Sequence, residues 1–517
     1  MQTQNKGLDM SYTIWLLFVL GTSDLRKVTG NVDYHWPGNG TRDNPHIISW
    51  TPNDALNARN YGTARKVIII ALSGLSTLSV AFASSSYSGD ISSICQDFEV
   101  SVEAATLGLS LYVLGFAVGP LLWAPLSEAF GRRIMFLGTF TLFTLFNVAA
   151  AASANFASLV IFRALAGTFG SAPLTNSGGI VADLYSAETR GLAAVFYSCA
   201  TFLGPVLGPI VGGFLGQAAG WRWIEGLVAI YAGTMLILGI LCVPETFNNV
   251  LLRHRAAVLS IRTGKSYVTS VDHQNPPGSL AERFQVATAR PLRLLSREPI
   301  VVVLALYMSF IYGTTYLLLA ALPVVFQHVR GWSPGIGGLS FISIAVGMLF
   351  ATVFMVFINF QYARKSKTSE TGQLPAEARL PSGKVGAVMI PIGLFLFAWT
   401  NSPSIHWAVC MVGTAFFGFG NICVSLALVN YLVDSYVTYA ASALAAATVM
   451  RSFCGAAFPL FTTYLYEGLG IHWASSVPAF LSLACLPAPF LLSKYGSRLR
   501  QRSRFAIAMS GGDVSSS

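Results

Sequence analysis

The stretch APLSEAFGRR, residues 124–133, crowds a carboxylate, a glycine and two arginines between runs apolar enough for lipid, LGLSLYVLGFAVGPLLW and IMFLGTFTLFTLF. Glu128, Arg132 and Arg133, with Asp183 and Arg190 at the edges of the next two apolar runs, make a local charge cluster. Residues of these types form ion pairs that can be made and broken. Arg163 stands inside an apolar run, and Asp90 and Glu225 are the acids that could share its neighbourhood. An acid beside a guanidinium changes its proton affinity, so the three are candidates for proton handling, with the exposed rim of the molecule as the other reading of the acids. Arg451 is the most deeply placed charge of all. Enzyme chemistry finds little support. His35, His46, His254, His273, His328, His406 and His472 fall in tails, loops or run edges, with no paired nucleophile and base and no clustered metal ligands. Neither a metal nor a cofactor is expected, and the phosphate-binding Gly-x-x-x-x-Gly-Lys-Ser/Thr of direct ATP use does not occur.

The elements that must hold these charges are membrane helices. Of 517 residues, 54% are hydrophobic and only 10% charged, where soluble domains carry about a quarter charged residues. About 20 apolar residues cross the hydrocarbon core, and only structures that satisfy their own backbone groups survive there. Twelve spans are predicted, at 67–87, 104–126, 134–152, 157–182, 191–215, 223–243, 299–325, 335–358, 385–400, 406–430, 438–463 and 473–493. The basic stretch 248–298 divides them six and six. The expected organisation is therefore an N-terminal tail 1–66, a six-helix bundle 67–247, a linker 248–298, a second six-helix bundle 299–493 and a C-terminal tail 494–517.

All but four of the 32 Lys and Arg residues, the exceptions being Arg163, Arg222, Arg330 and Arg451, fall on one side of this layout. By the positive-inside rule that side, with both tails and the linker, is cytosolic. The net charge of +10 then matches an anionic inner leaflet and gives no reason to expect nucleic acid. The seven cysteines lack metal or redox spacing. Asn39 heads a glycosylation sequon in the tail and is expected to stay unmodified. IWLLFVL, residues 14–20, is too short to span; residues 1–30 are open to reading as a signal, a tail or a start-site artefact.

APLSEAFGRR resembles the loop between spans 2 and 3 of the major facilitator superfamily, with Gly131, Arg132 and Arg133 in place, Glu128 at the Asp position and Ala124 for the leading Gly, as in the fungal drug:proton antiporter branch. LGPVLGPIVGGF, residues 203–214, is similar to the superfamily's antiporter motif through Gly204, Gly208, Pro209, Gly212 and Gly213. Glycines spaced four apart clear one helix face for close approach. FRALAGTFGSAPLTNSGG, residues 162–179, resembles the span 4 element whose arginine, here Arg163, serves proton coupling. NYLVDSYVTYAASALAAATVMRSFCGAAFPLF, residues 430–461, resembles spans 10 and 11, with Ala447 where that pattern has Asn. WRWIE and VPETF extend the likeness over nearly all of residues 57–500.

The resemblance implies an all-α fold of two six-helix bundles and a proton-coupled exporter of small lipophilic compounds, such as drugs, toxins or secondary metabolites, in the plasma membrane. Its partners would be the small-molecule substrate, protons and the lipid bilayer. Glu128, Gly131, Arg132, Arg133, Asp183 and Arg190 would form an inner gate, though Arg132 and Arg133 also fit as headgroup anchors. Spans 1, 4, 7 and 10 line the cavity in such a fold. They offer Tyr87, Asn176, Tyr307, Tyr312, Tyr316, Asn421 and Asn430, with Arg451 from span 11. Tyr312 and Tyr316 share a helix face, and the basic, aromatic set suits neutral or weakly anionic molecules. Uptake of a nutrient or polyamine, and a sensor that has lost transport, are the other readings.

Overall fold

The computed structural model describes residues 19–21, 28, 34–185, 190–274, 279–368 and 374–503. The apolar runs fold as helices, most of them a few residues longer than hydropathy alone marks. Spans 1 to 6 are Thr63–Ser86, Val102–Phe130, Arg132–Ala151, Phe156–Leu184, Arg190–Ala219 and Trp221–Cys242. Spans 7 to 10 are Pro299–Pro323, Ile342–Thr368, Leu380–Thr400 and Trp407–Ser435. Polar caps set several of the starts: Ser101 Oγ accepts from Ala104 N (3.2 Å) and Asn155 Oδ1 from Ser158 N (2.8 Å). The eighth run begins differently. It opens with the short turns Pro334–Gly338 and Leu339–Phe341 before the long helix starts.

Among the described residues, eleven helical stretches are long and apolar enough to cross a membrane, and the last, Ala440–Gln501, covers 62 residues. A straight helix of that length would measure roughly 90 Å, about three hydrocarbon thicknesses. Gly470, at φ 72° and ψ 166°, breaks it. The chain reverses there, in a conformation that residues with a Cβ rarely adopt, and spans 11 and 12 lie on either side.

The packing repeats with a period of six helices. Span 1 packs on span 5, 2 on 4 and 3 on 4; correspondingly 7 packs on 11, 8 on 10 and 9 on 10. The two sets meet where span 2 lies against span 11 and span 5 against span 8.

The chain before span 1 is more than a tail. His46–Ile48 pairs in parallel with Tyr267–Thr269, joining it to the linker between the halves. Linker helix Asn248–Thr263 buries Arg255 against Asp54, with Arg255 Nη2 to Asp54 Oδ1 at 2.9 Å. Burial opposes the charge on Asp54, but the guanidinium prevails and holds its carboxyl below the usual range. Val19, Leu20 and Val28 pack with Leu56, Leu251 and Val258; residues 14–18 of IWLLFVL lie outside the described residues. A second linker helix, Leu280–Arg297, opens with a capping box between Ser279 and Glu282. It packs on both span 2 and span 11, so it touches both sets of helices.

Candidate functional site

Gly131 separates spans 2 and 3 at φ 101°, and a Cβ there would lie 2.2 Å from Glu245 Oε2. That carboxylate, from VPETF just past span 6, fills the start of span 3. Its Oε1 accepts from the backbone N of Arg132 (3.0 Å), Thr246 (2.9 Å) and Phe247 (2.8 Å), and its Oε2 from Arg133 N (3.1 Å). An anion at a helix N-terminus meets otherwise unpaired N–H groups and the positive end of the dipole. Glu245 is wholly buried. Burial pushes its carboxyl up, and the four backbone donors oppose that rise.

The side chains of the two arginines reach outward from this cap. Arg132 Nε lies 3.6 Å from Asp183 Oδ2, Nη1 donates to Ser127 Oγ (2.5 Å), and the guanidinium sits 4.9 Å from the Phe247 ring centre. Arg133 donates to the carbonyls of Val243 and Ile240, closing the end of span 6. Glu128, expected in this gate, is exposed and has no ion pair or hydrogen bond among the described residues. It sits on the last turn of span 2, three residues before the Gly131 turn, and the position it was expected to fill belongs to Glu245. The side chain of Arg190 lies outside the described residues.

The other half carries a counterpart. Arg379, between spans 8 and 9, donates from Nε to Asp434 Oδ2 of span 10 at 2.8 Å and lies 3.6 Å over the Tyr362 ring. Arg500, beyond span 12, donates to Glu377 at 2.8 Å. Thus the pairing of an arginine between the second and third helices with an aspartate ending the fourth occurs in both halves.

Arg163 and Glu225 meet in the first half, Nη1 to Oε1 at 2.8 Å, with both side chains essentially inaccessible. The rings of Tyr87 and Tyr112 lie 4.4 and 4.7 Å from the guanidinium. Arg163 also donates to the carbonyls of Ala83 (3.1 Å) and Gly108 (3.3 Å). Arg163 Nη2 and Glu225 Oε2 are buried without partners among the described residues. Of the two acids proposed for this neighbourhood the structure brings Glu225. Asp90 instead caps the short helix Ile91–Phe98, accepting from Ser93 Oγ at 2.7 Å.

Span 5 lays its glycines on span 1. A Cβ at Gly204 would come within 2.4 Å of Ala81 Cβ, at Gly208 within 2.0 Å of Ser85 Oγ and at Gly212 within 2.3 Å of Ser86 O. Gly213 and Pro209 face the other half. A Cβ on Gly213 would lie 2.7 Å from Pro334 O, and one on Gly338 would lie 2.7 Å from Pro209 O.

The residues expected to line the cavity divide. Tyr312 and Tyr316 share a face as expected, hydroxyls 3.4 Å apart, and Tyr316 bonds Ser84 of span 1 at 2.7 Å. Asn176 is buried with both amide atoms unpartnered among the described residues, and Asn430 is half-buried. Arg451 lies 5.1 Å from the Tyr312 ring centre. Three others have surroundings of their own. Tyr87 belongs to the Arg163 cage; Tyr307, five residues before Tyr312, is buried on another face of span 7; Asn421 is tied to Thr315 (3.0 Å) and Ser425 (3.2 Å).

The sequence model described as the Major Facilitator Superfamily matches residues 73–459. The chain belongs to the Major Facilitator Superfamily. It is thus a multi-pass membrane protein of a transporter family rather than an enzyme. It is 52% identical to "MFS-type efflux pump MFS2" of Trichophyton rubrum over 92% of this chain and 80% of that protein. Identity to "Major facilitator superfamily multidrug transporter mdrA" of Aspergillus fumigatus is 50%, over 92% and 78%. With "Major facilitator-type transporter sorT" of Penicillium rubens it is 46%, over 93% and 92%. The fold resembles that of the proton:xylose symporter XylE at a TM-score of 0.60 and 18% identity, over 84% of this chain and 96% of that one. Within this superfamily fold, sequence reasoning gave no role to Glu245, Tyr112 or Arg379. Glu245 had a signal, since VPETF follows span 6 directly; Arg379 had one in its place between spans 8 and 9.

Proposed function

We propose that this chain is a secondary transporter that expels small lipophilic organic compounds in exchange for protons by rocking its two six-helix halves. Kinship along nine-tenths of the chain with proteins named efflux pump and multidrug transporter supports outward transport. The observation that carries the mechanism is the matched pair of ionic ties, Arg132 to Asp183 and Arg379 to Asp434, at corresponding ends of both halves. Ties of this length at partly accessible positions hold weakly enough to be released and strongly enough to bias one state. The glycine face of span 5 lets it pack tightly on span 1 and makes a stiff lever between the halves.

Glu225 is the proton site of this reading. Protonating its carboxyl removes the partner of Arg163, and losing one member of a buried ion pair costs about 3–5 kcal/mol, which biases a two-state equilibrium by roughly two to four powers of ten. In this reading the chain sits in the plasma membrane, and the distribution of Lys and Arg supports placing both termini and the linker on its cytosolic side.

Overexpression in a sensitive host, scored on a panel of toxic compounds with and without a protonophore, tests the proposal. Resistance should rise with expression and collapse with the protonophore. Growth that instead depends on an external solute would favour uptake and sink it.

A further inference from the structure

Inside the bundle the arginines come with acceptors: Arg163 with Glu225, Arg132 with Asp183, Arg379 with Asp434. Arg451 differs. Its Nε is buried without an acceptor, and it makes no ion pair or hydrogen bond among the described residues. It lies in span 11 roughly 17 Å from Ala440 by helical rise, a depth at which an ionised side chain is costly and marks a binding or transport path. Phe453, two residues on, is 56% exposed on the outer surface. At 100° per residue Arg451 therefore points the opposite way, toward span 7, where Tyr312 presents its ring at 5.1 Å.

The surroundings have one sign. The acids of the described spans sit near the ends: Glu103, Glu225 and Glu467 toward the outer side, with Asp90 just past span 1, and Glu128, Asp183 and Asp434 toward the inner. Hydroxyls continue from Tyr312 to Tyr316 and on to Ser84 of the other half. A free guanidinium offers two parallel donors that match a carboxylate, and the aromatic ring beside it can cover an apolar body.

We infer that Arg451, flanked by Tyr312, is a binding point for the acidic group of a lipophilic substrate, so that the compounds this chain carries include weak organic acids bound as carboxylate or enolate anions. This deepens the transport reading above and rests on it for direction, whereas the subsite itself is tested by binding alone.

The full chain, purified in detergent, is titrated with 2-naphthoate and its neutral isostere 2-naphthamide, as wild type, Arg451→Lys and Arg451→Met. The wild type should prefer the acid at least tenfold; Arg451→Met should abolish the preference with amide affinity within threefold of wild type, and Arg451→Lys should retain part of it. Equal affinity of the wild type for both probes, including no binding of either, or a preference surviving in Arg451→Met, overturns the inference. If Arg451→Met does not melt like the wild type, Arg451→Gln replaces it, and the wild-type comparison decides regardless. A strain overexpressing the chain that gains no resistance to any compound, while the purified protein keeps its preference for the acid, refutes export and leaves the subsite standing.

Discussion

Glu245 and Glu128 show how differently two nearby acids can be used. Glu245 receives four backbone N–H bonds in a buried pocket, so Glu245→Ala leaves those donors unsatisfied. A thermal melt should register a loss of at least about 1–3 kcal/mol. Glu128→Gln changes an exposed group without a described partner and should stay within about 0.5 kcal/mol of wild type, with export unaffected. Glu128 was legible as a charge in a motif because it is local. The acid that completes the turn lies 113 residues from Arg132, and no local pattern joins them. At the proton site, Glu225→Gln keeps the volume and removes the charge opposite Arg163. Export driven by a proton gradient should fall more than tenfold while substrate binding changes less than threefold, as read by transport assays beside equilibrium binding; equal losses in both would make the pair purely structural.

Among the elements, span 5 was the most readable, because glycines at a fixed spacing have one geometric consequence whatever their surroundings. The clearances bear this out, and they discriminate. Gly208→Val would drive its side chain into Ser85 and the Ser86 backbone, whereas Gly138 of span 3 has nothing within 4 Å of a Cβ. Gly208→Val should therefore abolish export at normal surface expression, and Gly138→Ala should leave it unchanged, by dye efflux from intact cells. The cap formed by the chain before span 1 and the linker could not be read in advance. Its strands are three residues each and about 220 positions apart, too short and too distant for hydropathy periodicity to pair. Arg255→Ala strands Asp54, and loss of one member of a buried pair costs about 3–5 kcal/mol. Residues 34–62 should then exchange amide hydrogens faster while the spans keep their protection. Since the Asp54 carboxyl is held below its ordinary range, its contribution is present above that range and lost as pH falls through the lowered value. Acid should loosen the cap in wild type, and Asp54→Asn should blunt that response.

At the scale of the molecule, twelve spans and two halves follow from apolar run lengths and charge bias, since lipid leaves a chain few ways to satisfy its backbone. In sequence the division into halves rested on the basic stretch 248–298 between spans 6 and 7. In the structure it appears as repeated helix pairing and as two arginine–aspartate ties in corresponding places. Side-chain direction was the part that sequence could not supply. Span number alone grouped Tyr87, Tyr307 and Asn421, and the structure shows their surroundings: Tyr87 beside Arg163, Tyr307 buried in span 7 and Asn421 bonded to Thr315.

The central claim, exchange of substrate for protons through a pair that includes Glu225, is tested most directly in liposomes carrying the purified chain, preloaded with a neutral compound from the resistance panel and a pH-sensitive dye. As the compound leaves, the lumen should acidify in proportion, and Glu225→Gln should abolish the proton movement. Loss of compound without any change in lumenal pH, or with alkalinisation, would contradict the account.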